Sequence, residues 1–273
     1  MILSRVSLVL FVILMSLTIS AQEFHWRAYY ISKTTIDFES WGKKQLTTEQ
    51  KKELSVNMSH LYEKVFILDF DRKMSLFKED ERLETSGQKA GWDNLMSGQY
   101  SSGPIYKNVQ AKRLVERREF YGKLFLIDDS LPEFKWQLTD ETKKIGDYTC
   151  FKAICIRSLS EIPPKGLNVR PEQDNSDTDD QVIITAWYTP QIPANHGPGH
   201  YWGLPGLILE LNEDKTTILC SKIILHSEEK IAKTKIPSKG KRLTLDEFDV
   251  IFDKKKDEIK KMKGRIKGKR TKG

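Results

Sequence analysis

Short apolar segments, bounded by charged or turn-forming residues, recur along most of the chain and constrain its fold more than any other feature. Several are rich in β-branched and aromatic residues, which is typical of strands. Few helical patterns separate them, so we predict a mainly β fold, either a curved antiparallel sheet or a half-open barrel. The nine predicted strands are 26–33, 64–70, 74–78, 123–128, 134–138, 148–157, 182–188, 207–211 and 216–225.

Two segments, 48–62 and 244–262, have apolar residues at the spacings of three and four that indicate a helical face. The second begins with Thr244 and Glu247, the pattern of a capping box. We expect both helices to pack on the sheet, because an apolar stripe needs a partner surface. This arrangement resembles the periplasmic lipoprotein carriers, in which a concave sheet shelters an acyl chain beneath a helical lid. The comparison concerns the fold alone.

The N-terminal residues 1–21 have the features of a removable secretory signal. Arg5 precedes the apolar run 6–19, and small residues follow it. An uncleaved anchor is the alternative. We expect an exported protein of the periplasm or the outer membrane, with no transmembrane span after cleavage, because no second apolar run reaches membrane length. The remainder is predicted to form one β-rich domain, 22–262, followed by a basic disordered tail, 263–273.

Positive charge is concentrated at the C-terminal end. The formal net charge of the chain is +7, yet residues 254–273 contain eleven Lys or Arg residues against Asp257 and Glu258. Such a tail is typically solvated. The functional alternative is contact with an anionic surface, such as lipid head groups. We do not expect a nucleic-acid partner, because the tail lacks the aromatic residues that stack on bases.

The segment 186–211 is crowded with glycine and proline. Gly203, Gly206 and Pro205 lie within ten residues of Gly197, Gly199 and Pro198. The pair Pro205-Gly206 suits a type II turn. Because glycine loses the most chain entropy on folding, a sequence that keeps so many needs its backbone to pass close to another strand, a Trp ring or a ligand.

Residues 203–208 read Gly-Leu-Pro-Gly-Leu-Ile, and the chain resembles the GLPGLI family, which comprises exported proteins of the Bacteroidetes. The resemblance extends over about 26–261 and implies no established activity, cofactor or catalytic residue. It rests also on flanking residues that match the family pattern: Trp136, Glu141, Lys144, Ile145, Tyr148, Cys150, Lys152, Ala153, 186–189, Ile192, Pro193, Gly197 and Pro198.

The chain departs from the family pattern at Cys155, at Cys220, in an acidic loop within 163–180 and in the basic tail. Either Cys150 or Cys155 could pair with Cys220. Because Cys155 and Cys220 both depart from the pattern, we predict the disulfide between these two.

Aromatic residues flank the family motif, and two interpretations of them are open. They pack in the core against the glycines, or they line an apolar pocket with a few polar tips. For the second interpretation, the predicted ligand-binding residues are Trp187, Tyr188, Tyr201, Trp202, Gly203, Leu204, Pro205, Gly206 and Glu210.

The sequence contains no nucleophile elbow, zincin helix, phosphate loop or dinucleotide fingerprint. We therefore assign no catalytic residue and no cofactor, and we favour a non-enzymatic protein without excluding an enzyme. His196 and His200, four residues apart, are the nearest candidates for metal ligands, with Glu210 or His226 as a third.

Three functions follow from this reading. The first is non-enzymatic binding of an apolar ligand, such as a lipid or an acyl chain, or of a partner protein, and the ligand form predicts an apolar cavity near 187–211. The second is a structural protein that docks on an envelope partner. The third is a metal-assisted hydrolase, which predicts that His196, His200 and Glu210 converge.

Overall fold

The computed structural model describes residues 25–35, 47–50, 63–80, 100–158, 181–226 and 236–270. Twelve strands and one long helix lie within them. The strands are β1 (His25–Thr34), β2 (Glu63–Phe70), β3 (Met74–Glu79), β4 (Tyr100–Asn108), β5 (Arg113–Phe120), β6 (Lys123–Ser130), β7 (Gln137–Ile145), β8 (Tyr148–Ser158), β9 (Gln181–Thr189), β10 (Leu207–Glu213), β11 (Thr216–His226) and β12 (Lys241–Leu243), and the helix is α1 (Leu245–Arg270).

All twelve strands form one sheet, in the order β12-β6-β5-β4-β3-β2-β1-β11-β10-β9-β8-β7. Neighbours are antiparallel, except that β12 runs parallel to β6. Strand β1 pairs with β2 on one side and with β11 on the other, and so joins two meanders, β2–β6 and β7–β11. Within the described residues the sheet is open, with β12 and β7 at its edges. The predicted mainly β, antiparallel fold is confirmed, and the open sheet is consistent with the curved form.

Tight turns between consecutive strands use positive backbone φ angles. Tyr121 and Gly122, with φ of 50° and 70°, join β5 to β6. Two consecutive positive φ angles characterise a type I′ turn, whose twist matches that of the strands it connects. These turns fix the register in which polar side chains of β5 meet their neighbours.

The main core lies mostly on one face of the sheet, here called the inner face, and both meanders contribute to it. Tyr30 of β1 and Leu68 of β2 are fully buried in one cluster with Leu207 of β10. Residues 190–206, here called the crossing loop, connect β9 to β10 and place Trp202 in the same cluster. The crossing loop therefore fills the space between the two meanders.

Helix α1 covers the inner face at β6. Phe248 is fully buried, and its ring lies 5.5 Å from that of Phe125 and 5.9 Å from that of Phe120. The capping box is formed as predicted: the Thr244 amide donates to Glu247 Oε2 (2.9 Å), and the Glu247 amide donates to Thr244 Oγ1 (3.2 Å). The helical backbone continues to Arg270, beyond the predicted end at 262 and through most of the segment predicted as disordered.

Three strands were not predicted: β4, β5 and β12. The predicted strand 134–138 overlaps only the start of β7. Strand β5 reads RLVERREF, and its side chains at 114, 116, 118 and 120 are buried on one face. Because two of these four residues are charged, the apolar alternation that predicts a strand is absent from the sequence.

At the other predicted helix, Thr47 and Gln50 exchange the two hydrogen bonds of a capping box. Residues 51–62, the signal segment 1–21 and the acidic loop within 163–180 lie outside the described residues. No helix in the described part of the chain has both the length and the apolar character of a membrane span.

Candidate functional site

The crossing loop is folded back on itself by backbone hydrogen bonds. The Gly203 amide donates to the Asn195 carbonyl (3.1 Å), and the Ile208 amide donates to the His196 carbonyl (3.0 Å). The amide of Leu207 donates to the Ile192 carbonyl (3.1 Å). The loop thus forms a compact element on the inner face rather than an exposed lid.

Lys107 of β4 holds this loop to the opposite half of the sheet. Its side chain is fully buried, and Nζ donates to the carbonyl oxygens of Gly197 (2.8 Å), Gly199 (2.7 Å) and Tyr201 (2.8 Å). Burial lowers the pKa of Lys107 to about 7, whereas three carbonyl acceptors favour the charged ammonium. All three N–H groups are used, so Lys107 acts as an internal cation in a cage of backbone oxygens.

A second anchor joins the loop to β5. Glu116 Oε2 accepts hydrogen bonds from Arg118 Nη2 (2.8 Å) and from His200 Nε2 (2.9 Å). Glu116 and Arg118 are fully buried, while His200 is partly open to solvent. Burial alone would raise the pKa of Glu116, but Arg118 and His200 outweigh it and hold that pKa well below its usual range. Arg118 also lies 5.0 Å from the ring of Phe248, which links this cluster to α1.

His196 is fully buried. Among the described residues, neither of its ring nitrogens has a hydrogen-bond partner of normal geometry. The ring lies 6.0 Å from that of Phe70. Burial lowers the pKa of His196 to about 3, the charge of Lys107 adds to the lowering, and a backbone contact with Asp71 opposes it. The imidazole is therefore neutral at physiological pH.

The predicted aromatic residues do not share one pocket. Tyr188, Tyr201 and Trp202 are buried, whereas Trp187 is half-buried. Tyr201 donates its hydroxyl to Glu213 Oε2 (2.7 Å). Burial and then the Glu213 carboxylate raise the pKa of Tyr201.

Trp202 is fixed by hydrogen bonds at its ring and at its backbone. Its Nε1 donates to the Pro132 carbonyl (2.6 Å), and its carbonyl accepts from Trp136 Nε1 (2.9 Å). Together with Tyr201, it occupies the space in which the ligand hypothesis placed a cavity.

The glycines of the motif serve close backbone approach. A Cβ atom on Gly206 would overlap the carbonyl of Thr189 at the end of β9. Gly203 has a φ of 97°, which L residues rarely adopt. Leu204 is buried and Pro205 is exposed. The Ile208 carbonyl accepts from the buried hydroxyl of Tyr30 (2.7 Å).

Glu210 lies on the other face of the sheet, here called the outer face. Its carboxylate accepts hydrogen bonds from Lys143 Nζ (2.7 Å) and from the Asn212 side chain (2.9 Å). Lys143 Nζ also lies 4.3 Å from the centre of the Trp187 ring. Glu210 and Trp187 are cross-strand neighbours and so share this face, and Trp187 is partly buried against the main core cluster.

His196, His200 and Glu210 have separate surroundings, in contrast to the convergence that the hydrolase hypothesis predicts. His200 contacts Glu116 and Glu210 contacts Lys143, while His196 lies against Phe70. Within the described ranges, no three His, Cys, Asp or Glu side chains are grouped as metal ligands.

The structure also differs from the predicted Cys155–Cys220 disulfide, since the three cysteines are buried thiols that no disulfide joins. Cys155 packs with Ala153 and Leu211, whereas Cys220 packs in the main core cluster with Cys150. The strands thus bring Cys220 towards Cys150, the alternative partner that the sequence left open.

Sequence reasoning missed Lys107, Glu116 and Arg118, the residues that hold the crossing loop. One signal was available. In β5, Leu114, Glu116, Arg118 and Phe120 are buried at alternate positions, so two charged residues share a strand face with two apolar ones.

The comparisons with known proteins found similarity to one family model and to solved structures. A family model described as a protein of unknown function (Porph_ging) matches residues 136–210, which contain the crossing loop and the motif. A search of curated proteins found no match.

Two solved structures described as PNGF-II, in C2 and P21 space groups, are 11% identical to this chain, with TM-scores of 0.48 and 0.47. Each match covers 83% of this chain and 32% of the solved chain, so this protein spans about a third of its structural neighbour's length.

Proposed function

We propose that this chain is an exported cell-envelope protein of the GLPGLI type that binds a partner protein. The export signal at 1–21 and the motif at 203–208 support the first part on sequence grounds. The match of 136–210 to a family of unknown function is compatible with it. The second part rests on the outer face.

The outer face of β8, β9, β11 and β1 carries exposed aliphatic side chains in register, and this observation carries the proposal. Ile156 pairs with Ile183, and the two are 48% and 61% exposed. Leu219 pairs with Ile31, and they are 38% and 43% exposed. Single exposed apolar residues are ordinary, but cross-strand pairs that recur on one sheet face indicate an interaction surface.

The shape of this face favours a protein over a small ligand. A small apolar ligand needs a concave site that buries most of its surface. On the inner face, Tyr201, Trp202 and Leu204 fill the space near the motif. On the outer face, the depression beside Ile183 is open and lined partly by polar residues, including Asn212 and Asp214. The fitting partner is a protein surface with an aliphatic centre.

The test is photo-crosslinking in the native envelope, with a crosslinking amino acid at position 183 or 219. We expect the same adduct, identified by mass spectrometry, from both positions and its loss when Ile156→Asp is added. Exposed positions 123 and 144 are the matched controls. Equal adducts from the controls, or none from 183 and 219, would contradict the proposal.

The apolar-ligand alternative is distinguished by native mass spectrometry of protein purified without detergent. A bound mass that is lost on denaturation would move the assignment from a protein partner to a ligand. The mass of the chain alone would leave the outer face as the binding surface.

A further inference from the structure

The described contacts of α1 with the sheet lie in the N-terminal half of the helix. The helix has 26 residues, about 39 Å at about 1.5 Å per residue. Its described contacts with the sheet come from its first three turns: Phe248 and Phe252 pack on Phe120, and Lys255 Nζ lies 5.1 Å from the ring of Tyr121. The core thus anchors one end of a long rod.

Residues 256–270, here called the basic arm, form the other end of this rod. The described side chains within it, Asp257, Glu258 and Lys261, are exposed. Glu258 is paired with Lys255 (3.0 Å), one turn earlier. From residue 259 to Arg270 every charged residue is Lys or Arg. The part of the arm from residue 259 onward is therefore a helical segment of one charge sign.

Helix-end electrostatics explains only part of this charge. Cations near a helix C-terminus interact favourably with its dipole, but the effect is confined to the last turn. The helix dipole therefore explains positive charge at Lys269 and Arg270. It does not explain the positive charge at Lys260, Lys261 and Lys263. A helix of about 22 Å keeps these charges close enough to act together on one surface at a Debye length of about 8 Å.

We propose that the basic arm docks on the surface of a lipid bilayer that contains anionic lipids. The charge of the arm complements the negative potential of such a surface. In the sequence, Ile259, Met262 and Ile266 recur at spacings of three and four, which suits a helix that lies in the head-group region. The arm contains no aromatic residue to stack on bases. This proposal goes beyond the partner-binding function and is independent of it.

The test is co-sedimentation of residues 22–273 with phosphatidylcholine vesicles, with and without phosphatidylglycerol. We expect binding only to the anionic vesicles, with a partition coefficient that falls at least about tenfold as salt shortens the Debye length. In the arm variant, Lys260→Gln, Lys261→Gln, Lys263→Gln and Arg265→Gln, the coefficient also falls at least about tenfold.

A matched variant removes the same charge from the sheet: Lys123→Gln, Lys144→Gln, Lys215→Gln and Lys222→Gln. Its partition coefficient should stay within about twofold of that of the original chain, because the charge of the arm rather than the total charge determines binding. Substituting the same four arm residues so that all are Arg keeps the charge and should keep binding, which separates charge from any loss of helix. Equal binding by the arm and sheet variants, no preference for anionic vesicles, or arm-dependent binding of duplex DNA without vesicle binding would overturn the proposal.

Discussion

The ammonium nitrogen of Lys107 lies 2.8 Å from the carbonyl oxygen of Gly197, and this hydrogen bond joins the two halves of the sheet. Lys107 belongs to the meander β2–β6, whereas Gly197 belongs to the crossing loop that links β9 to β10. The loop has few regular backbone partners, so its carbonyls need another donor when they are buried. A lysine meets this need because its head has three donors and no acceptor.

We predict that Lys107→Met lowers the free energy of unfolding by about 3 kcal/mol, because buried carbonyls left without donors cost more than the desolvated charge saves. Chemical denaturation with fluorescence detection measures the change. Lys123→Met, at an exposed position of β6, is the control and should shift stability by less than about 0.5 kcal/mol. Equal effects of the two substitutions would show that the three hydrogen bonds contribute nothing.

Gly206→Ala tests whether the motif serves close backbone packing. Three backbone atoms of Thr189 and Pro190 would lie within 3.0 Å of the new methyl group, so we expect a loss of about 3 kcal/mol or a failure to fold. Gly146→Ala is the matched control. Gly146 has a φ of 56° but open space around it, so only the backbone cost of about 1–2 kcal/mol applies. Thermal unfolding measures both losses. A loss of stability for Gly206→Ala that is smaller than that for Gly146→Ala would argue against a packing role.

The sheet could be predicted from the sequence because most strands bury apolar side chains in short runs. Strand β5 could not, because Glu116 and Arg118 are buried together and each charge is compensated by a residue distant in sequence or by its neighbour. Periodicity cannot reveal such compensation. The same holds for Lys107, whose partners lie some ninety residues away in a loop.

The motif could be located from the sequence, but its role could not. Glycine and proline at 203–206 indicated close backbone approach, and Gly206 against Thr189 provides it. Trp187 and Glu210 were grouped with Tyr201 and Trp202 because they are near in sequence. In the strands, alternation places Trp187 and Glu210 opposite Tyr188, which packs with Tyr201, although Trp187 still packs against the cluster that contains Trp202.

The buried cysteines give a prediction for thiol chemistry. Burial raises the pKa of Cys150 to about 11 and that of Cys220 to about 12, and Cys155 is 2% exposed. Because the thiolate is the reactive form, we expect no reaction of the folded protein with a chromogenic disulfide reagent at pH 8. In denaturant without a reductant, three thiols should react. A count of one would show that two cysteines form a disulfide, and peptide mapping would distinguish Cys150–Cys220 from Cys155–Cys220.

His196 predicts how stability depends on pH. Its pKa is about 3 in the folded protein against 6.5 for an unperturbed imidazole, so between these values the unfolded chain binds a proton that the folded protein does not. Stability must therefore fall as pH falls from about 6.5 towards 3, with a contribution approaching about 1.4 kcal/mol per pH unit.

Acidic groups titrate in the same range, so the informative quantity is the difference in the free energy of unfolding between the original chain and His196→Gln, measured by denaturation at several pH values. We expect this difference to change steadily across the window, because only the original chain carries the buried imidazole. A difference that is constant with pH would mean that the folded protein accommodates a protonated His196, and the orphaned imidazole would then have a polar partner in solution.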